Sequence, residues 1–189
     1  MRIEELPAQL KGAILLQKQG DPAGALELFD GWLEAHPGDE LATYWSASCL
    51  YRLGRLEEAV YRARRVGPGP HQWAALIVES DGLVKLGHLA EARQAAEQLA
   101  LIAADKPSVH TRLAWIGVRT QDAELTLRAG RRAVELAPSS TEALFLLAMG
   151  HSMSAQVREA RWVLRRLFEL DPKDERGLVL MKQLKRRSR

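Results

Sequence analysis

Leu53-Gly54-Arg55-Leu56-Glu57-Glu58-Ala59 is the stretch to which the rest of the chain keeps returning. It recurs as Leu86-Gly87-His88-Leu89-Ala90-Glu91-Ala92, and an earlier version reads Gln19-Gly20-Asp21-Pro22-Ala23-Gly24-Ala25. Fainter versions run from Thr120 to Thr126 and from Ser154 to Ala160. The closing small residue falls at positions 25, 59, 92, 126 and 160, a period of roughly 34 residues. A fixed period of that length marks a stacked array, in which each copy of one supersecondary unit completes its core on its neighbours.

Each copy reads as two helices joined by a short turn. Pro7 suits a first helical turn, and the helix behind it carries Leu10, Ala13, Ile14 and Leu16 before Gln19-Gly20 ends it. Asp21-Pro22 is an N-cap followed by proline at the first helical position, so a second helix starts at once and runs to His36-Pro37-Gly38. Helices joined by so short a turn are antiparallel neighbours. Further pairs are expected over 41–53 with 56–66, 73–86 with 89–104, 108–119 with 122–136, and 141–153 with 157–170. A last helix begins near Asp174 and dissolves into Lys185-Arg186-Arg187-Ser188-Arg189. Gly67-Pro68-Gly69-Pro70 resembles a linker, but the period passes through it, so it reads as a turn inside the array. No stretch alternates with period two, so the expected fold class is all-α. The array spans 1–189 as repeats at about 6–39, 40–72, 73–106, 107–140 and 141–173, with a capping helix over 174–189.

A second row tests the repeat independently. Ala13, Ala47, Ser80, Ala114 and Ala148 keep the same spacing on the first helices as Ala25, Ala59, Ala92, Thr126 and Ala160 keep on the second. Small side chains at matched points let two helix backbones approach closely, while Leu16, Leu50 and Leu83 fill the space beside them. With the Leu-Gly and Gln-Gly turns and the prolines after second helices (Pro37, Pro138, Pro172), this pattern resembles the tetratricopeptide repeat, TPR, over nearly the whole chain. The resemblance implies a right-handed superhelical solenoid of helix pairs whose concave face binds peptides or partner proteins. Two features depart from the family pattern. Its preferred tryptophan is replaced by Gln9, Thr43, Leu76, His110 and Leu144, and the fourth and fifth turns lack glycine.

The formal charge of +3, from 27 basic and 24 acidic residues, is too balanced to indicate a nucleic-acid binder. The lone Cys49 sits in an apolar run and reads as a buried, inert thiol. Glu4 and Glu5 stand where a signal peptide would be basic and then apolar, and no apolar run reaches membrane-span length. The default expectation is a cytoplasmic protein, and the arginine-rich, asparagine-free composition suggests a bacterial source. The five histidines lie apart, with no metal-ligand spacing on one helix. Four of them fall at turns or helix starts, where solvation is expected, and His151 occupies the Leu16, Leu50, Leu83 row as a hydrogen-bonded histidine at the core's edge. No acid–base pair, cofactor motif or metal set is evident, so the chain reads as a non-enzyme without cofactor.

Under the family geometry, the inward face of the first helices gathers Tyr44, Ser48 and Tyr51, then Ile77, Asp81 and Val84. It continues with Thr111, Trp115 and Val118, then Phe145, Met149 and Met153. Aromatic and methionine side chains suit an apolar peptide segment. Alternatively Trp115 and Phe145 fill space beside Gly117 and Gly130, which leave a gap for an indole. A basic row, Lys18, Arg52, Lys85 and Arg119, suits an acidic partner segment or a terminal carboxylate. Equally, cations in a last helical turn stabilise its carbonyl end. Family members that clamp acidic chaperone tails use asparagines, of which this chain has none. The basic run 182–189 reads as a solvated helix end, and no nucleic acid is expected as partner. The leading expectation is a scaffold for a protein or peptide, as monomer or weak homodimer. The alternatives are a dedicated bacterial chaperone for a secretion or pilus component and an oligomerisation spacer.

Overall fold

The computed structural model describes residues 6–186, which form eleven helices and no strand. In order these are α1 (Ala8–Gln19), α2 (Pro22–Ala35), α3 (Glu40–Arg52), α4 (Leu56–Ala63), α5 (Gln72–Leu86) and α6 (Leu89–Ile102). There follow α7 (Pro107–Arg119), α8 (Ala123–Leu136), α9 (Thr141–Met153), α10 (Val157–Leu170) and α11 (Glu175–Arg186). Internal contacts group the chain into two compact units, one reaching Gln98 and the other starting at Leu99, with the division inside α6. In the first unit α1 packs on α2, α3 on α4, and the first helices α1, α3 and α5 lie beside one another. In the second, α7 packs on α8 and α9 on α10, α7 lies beside α9, and α11 closes on α9 and α10.

The turn inside each pair is one motif made five times. The amide of Asp21, Arg55, His88, Asp122 and Gln156 donates to the carbonyl of Leu16, Leu50, Leu83, Gly117 and His151 respectively, at 2.8–3.0 Å. That six-residue bond requires a left-handed residue just before the donor. Gly20, Gly54 and Gly87 supply it with φ of 94°, 78° and 82°, where a Cβ would be unfavourable. Gln121 and Ala155 adopt the same region with φ of 57° and 58°. The absence of glycine from the last two turns therefore changes their cost and leaves their geometry intact.

Side chains then close each pair. All ten members of the two small-residue rows are 0 % exposed. Leu50 and Leu83 are buried beside them, and Leu16 is partly buried. The N-cap read at Asp21 forms, its carboxylate accepting from the Gly24 amide at 2.9 Å, and Asp39, Asp122 and Ser140 cap α3, α8 and α9 in the same way. Cys49 is fully buried, and burial pushes its thiol up to about 11, so it stays protonated at neutral pH.

Three expectations need correction. The helix expected over 56–66 stops at Ala63, because Arg65 and Val66 bond three residues back while Pro68 and Pro70 have no amide to offer. His110 is not a solvated histidine: it is 9 % exposed and its Nε2 lies 2.9 Å from the Ala104 carbonyl. It fills the position where the repeat family prefers tryptophan, and an imidazole that reaches a main-chain partner can do so in the core. The helix expected to fray near Lys185 continues through Arg186, and residues 187–189 lie outside the described residues, as do Glu4 and Glu5.

Asp174 secures the last helix. It is 7 % exposed, accepts from the Gly177 amide at 2.8 Å, and pairs with Arg176 at 2.7 Å. The hydrogen bond from Arg176 holds its carboxyl below the usual carboxylate range.

Three outcomes follow for stability. Ala155→Gly should raise it by roughly 0.5–1 kcal/mol in urea denaturation, since the relieved left-handed strain exceeds the entropy glycine adds to the unfolded chain. Ala47→Leu or Ala148→Leu should each overpack a helix pair and cost roughly 1–3 kcal/mol in the same measurement. Asp174→Ala should cost about 0.5–2 kcal/mol. Because its folded pKa is depressed, the Asp174 contribution is present above the unfolded value near pH 4 and is lost as pH falls through the folded value. Urea titrations at stepped pH should show the mutant and parent converging in acid.

Candidate functional site

The residues expected to line a groove sit on the first helices of the pairs, as their spacing requires. Their surroundings differ between the two units. In the first, Tyr44 is half-buried on α3, stacked 6.1 Å from His71 and tilted 5.2 Å from Trp45. Burial raises the Tyr44 hydroxyl above its ordinary value, which keeps it neutral. These rings wall a cleft of about 430 Å³ with Leu6, Ile14, Leu41 and the half-exposed Trp73. A cleft of that size, mostly apolar with a phenol and an imidazole at its wall, accepts one large side chain of a partner. Trp45, His71 and Trp73 were missed in the sequence. Trp45 adjoins Tyr44 and reads as core by periodicity, while His71 and Trp73 arrive from the next pair, across the Gly-Pro turn.

Further along the same helices, the basic row makes contacts of its own. Arg52 donates from Nη1 to the Gln17 carbonyl at 2.6 Å, joining the end of α3 to the end of α1. Lys85 places its ammonium 4.2 Å from the centre of the Tyr51 ring, on the neighbouring helix α3. Arg52 thus serves a helix carbonyl end, that of α1 and not of its own helix, whereas Lys85 remains exposed above an aromatic ring. Lys18 is exposed, Asp81 is half-buried, and Ser48 accepts from Gln17 Nε2 at 3.0 Å.

In the second unit, Trp115 on α7 donates from Nε1 to Glu142 at 3.0 Å, and its ring tilts against Phe145 of α9, 6.0 Å away. The Arg176 guanidinium covers the Phe145 ring from α11 at 5.0 Å, leaving Phe145 7 % exposed. Phe145 and Met149 border a cleft of about 400 Å³ whose other wall is α11, through Arg176, Val179 and Gln183. Arg119 is exposed at the end of α7. The indole does not fill a gap at the glycines. A Cβ on Gly117 would lie 2.9 Å from the Thr126 amide, and one on Gly130 would lie 3.0 Å from the Leu147 Cα. Those glycines permit helix backbones to touch, so Trp115 is left to the α9 face.

Among the described residues no group of three or more His, Cys, Asp or Glu side chains is placed to hold a metal ion. Among the described residues no helix is long and apolar enough to cross a membrane. His151, 8 % exposed, is hydrogen-bonded to Gln156 at 2.6 Å, as its place in the leucine row suggested.

Comparison with known proteins agrees with this architecture. Residues 10–72 match the tetratricopeptide repeat family model. No curated protein sequence matches the chain. Among solved structures, MamA (41-end) from Desulfovibrio magneticus RS-1 is similar at 18 % identity and TM-score 0.79, over 89 % of this chain and 98 % of that one. YrrB, a TPR protein with an unusual peptide-binding site, is similar at 15 % identity and TM-score 0.81, over 92 % and 90 %. The first TPR of Spaghetti (RPAP3), bound to HSP90 peptide SRMEEVD, is similar at 18 % identity and TM-score 0.60, over 64 % and 95 %. On the repeated turn, the buried small-residue rows and the fold it shares with solved TPR proteins, the chain has the helix-pair architecture of the tetratricopeptide repeat, whose family model its residues 10–72 match.

Proposed function

We propose that this chain is a non-enzymatic, cytoplasmic binding module that holds a peptide or a segment of a partner protein against its first-helix faces. The observation that carries this reading is the aromatic cleft of the first unit, walled by Tyr44, Trp45, His71 and Trp73. An apolar or aromatic side chain of the partner seats there, released from water at roughly 25 cal/mol per Å² buried. Lys18 and Lys85, exposed in the same unit, favour acidic residues on either side of that anchor. In the second unit Trp115, Met149 and Arg119 offer a smaller surface of the same kind, with Phe145 as its buried support. Peptide-binding neighbours of the same fold make this use of the helices familiar. The asparagine-dependent clamp on acidic chaperone tails is not part of the proposal, since the chain has no asparagine.

A dedicated chaperone for one client and a scaffold for several use the same surface and differ in how many partners they take. An oligomerisation spacer is favoured by one feature, the exposed Leu178 and Val179 on α11, and requires a self-associated species in light scattering. The deciding measurement is capture of partners from a source lysate on the immobilised full chain, repeated with Tyr44→Ala and Trp73→Ala. Each substitution should weaken the captured interaction by about tenfold or more with helicity unchanged. Lys85→Glu together with Arg119→Glu should weaken it further at low salt. Capture that survives all four changes would remove the first-helix faces as the binding surface.

A further inference from the structure

The balanced total charge conceals a division. Up to Gln98 the sequence carries 10 basic and 14 acidic residues, and from Leu99 onward it carries 17 and 10. Much of the positive excess lies on the second helices of the last two pairs, with Arg128, Arg131 and Arg132 on α8 and Arg158, Arg161, Arg165 and Arg166 on α10. Arg132 is paired with Glu135 at 3.0 Å, and Arg161 donates to the Leu184 carbonyl at 3.1 Å. Arg128, Arg131, Arg158 and Arg165 are exposed, and no carboxylate pairs with them among the described residues. An excess of unpaired positive charge on two neighbouring helix faces raises the local potential and favours an anionic partner.

Between α8 and α10, Arg131 and Arg158 border a cleft of about 500 Å³, with His151 and Glu159 also in its lining. Its floor is apolar: Leu147 is 7 % and Val163 2 % exposed. At its side stands Trp162, 57 % exposed, with the Arg166 guanidinium 5.2 Å from its ring centre. An indole left in water beside an apolar floor is a binding anchor in the usual sense of interfaces, and guanidinium groups around it pair with carboxylates in a bidentate way.

We propose that the α8–α10 cleft is a second binding face, which takes an acidic peptide segment of a partner protein carrying a large apolar side chain. The apolar side chain enters between Arg131 and Arg158 onto Leu147 and Val163, against Trp162, and the flanking carboxylates meet the arginines. Two other anionic partners fit less well. A nucleic-acid phosphate backbone gains nothing from the apolar floor. A membrane surface would need a broad exposed apolar face, whereas Leu147 and Val163 are buried and Trp162 stands among arginines.

The test is fluorescence anisotropy with the full chain and a labelled peptide of glutamate, phenylalanine and leucine. The comparison probes are a polyglutamate of equal length, a single-stranded DNA oligonucleotide and phosphatidylserine vesicles. The expected result is binding of the mixed peptide, with Kd raised about tenfold or more by Arg131→Glu with Arg158→Glu, and separately by Trp162→Ala. Circular dichroism of each variant should match the parent, because the substituted side chains are exposed. The same probe also suits the first-unit cleft, so each titration is repeated in a Tyr44→Ala, Trp73→Ala background, where the α8–α10 affinity is read alone and its failure is distinguishable from failure of the first-helix site. The proposal is overturned by absence of peptide binding, by binding that neither variant weakens, or by polyglutamate binding as tightly as the mixed peptide. Tighter binding of the oligonucleotide or the vesicles would likewise overturn it, marking the face as one for nucleic acid or lipid.

Discussion

Two helices can lie close against each other only where neither presents a bulky side chain at the point of nearest approach. In this chain that constraint is met five times, by Ala13, Ala47, Ser80, Ala114 and Ala148 on one helix and Ala25, Ala59, Ala92, Thr126 and Ala160 on the other, all without solvent exposure. Once the backbones are that close, the turn between them has little freedom. It must reverse the chain within a few residues and still satisfy the last carbonyls of the first helix. The left-handed residue and the six-residue hydrogen bond do both, and they recur even where Gln121 and Ala155 must bear the strain of a Cβ. Gly117 and Gly150 extend the same logic, since a Cβ on either would meet the backbone of the adjacent helix at 2.9 Å.

The same packing decides which helix faces are left to solvent. A helix pair buries one face internally and another on its neighbours, and what is left over faces solvent in a repeating way. On the first helices of the first unit, the leftover face is aromatic, and Tyr44 is backed by Trp45 and His71 in a firm wall. In the second unit α11 reaches across α9 and places Arg176 over Phe145, so the corresponding surface is narrower. The second helices α8 and α10 leave a different remainder, arginines around a half-exposed indole. One scaffold thus carries surfaces of different chemistry on its two sets of helices.

Much of the packing was legible because it is written in residues that have no alternative. A closing small residue every roughly 34 positions has a single physical use, close helix contact, and the structure buries every one of them. Asp21-Pro22 had one reading as a helix start, and Asp21 caps α2. The errors fall where a residue type has several uses. His110 reads as a solvated histidine near a helix start, yet the Ala104 carbonyl lies within reach of its ring and lets it stay in the core. The end of α4 was placed three residues too far because apolar Val66 continued the pattern, although it is buried by a turn and not by a helix.

The candidate sites divide in the same manner. The sequence by itself determined that the chain is a stack of helix pairs and which small residues are buried between the paired helices, since periodicity is a local property of side-chain spacing along a helix. Only the tertiary structure decided what the remaining faces contain. Arg52 is drawn to the Gln17 carbonyl, His71 and Trp73 come across a turn to Tyr44, and Arg176 arrives from α11 over Phe145. Each of these contacts joins different helix pairs. Periodicity along one helix carries no information about which side chain of a neighbouring pair will reach it, so such contacts become visible only when the pairs are packed.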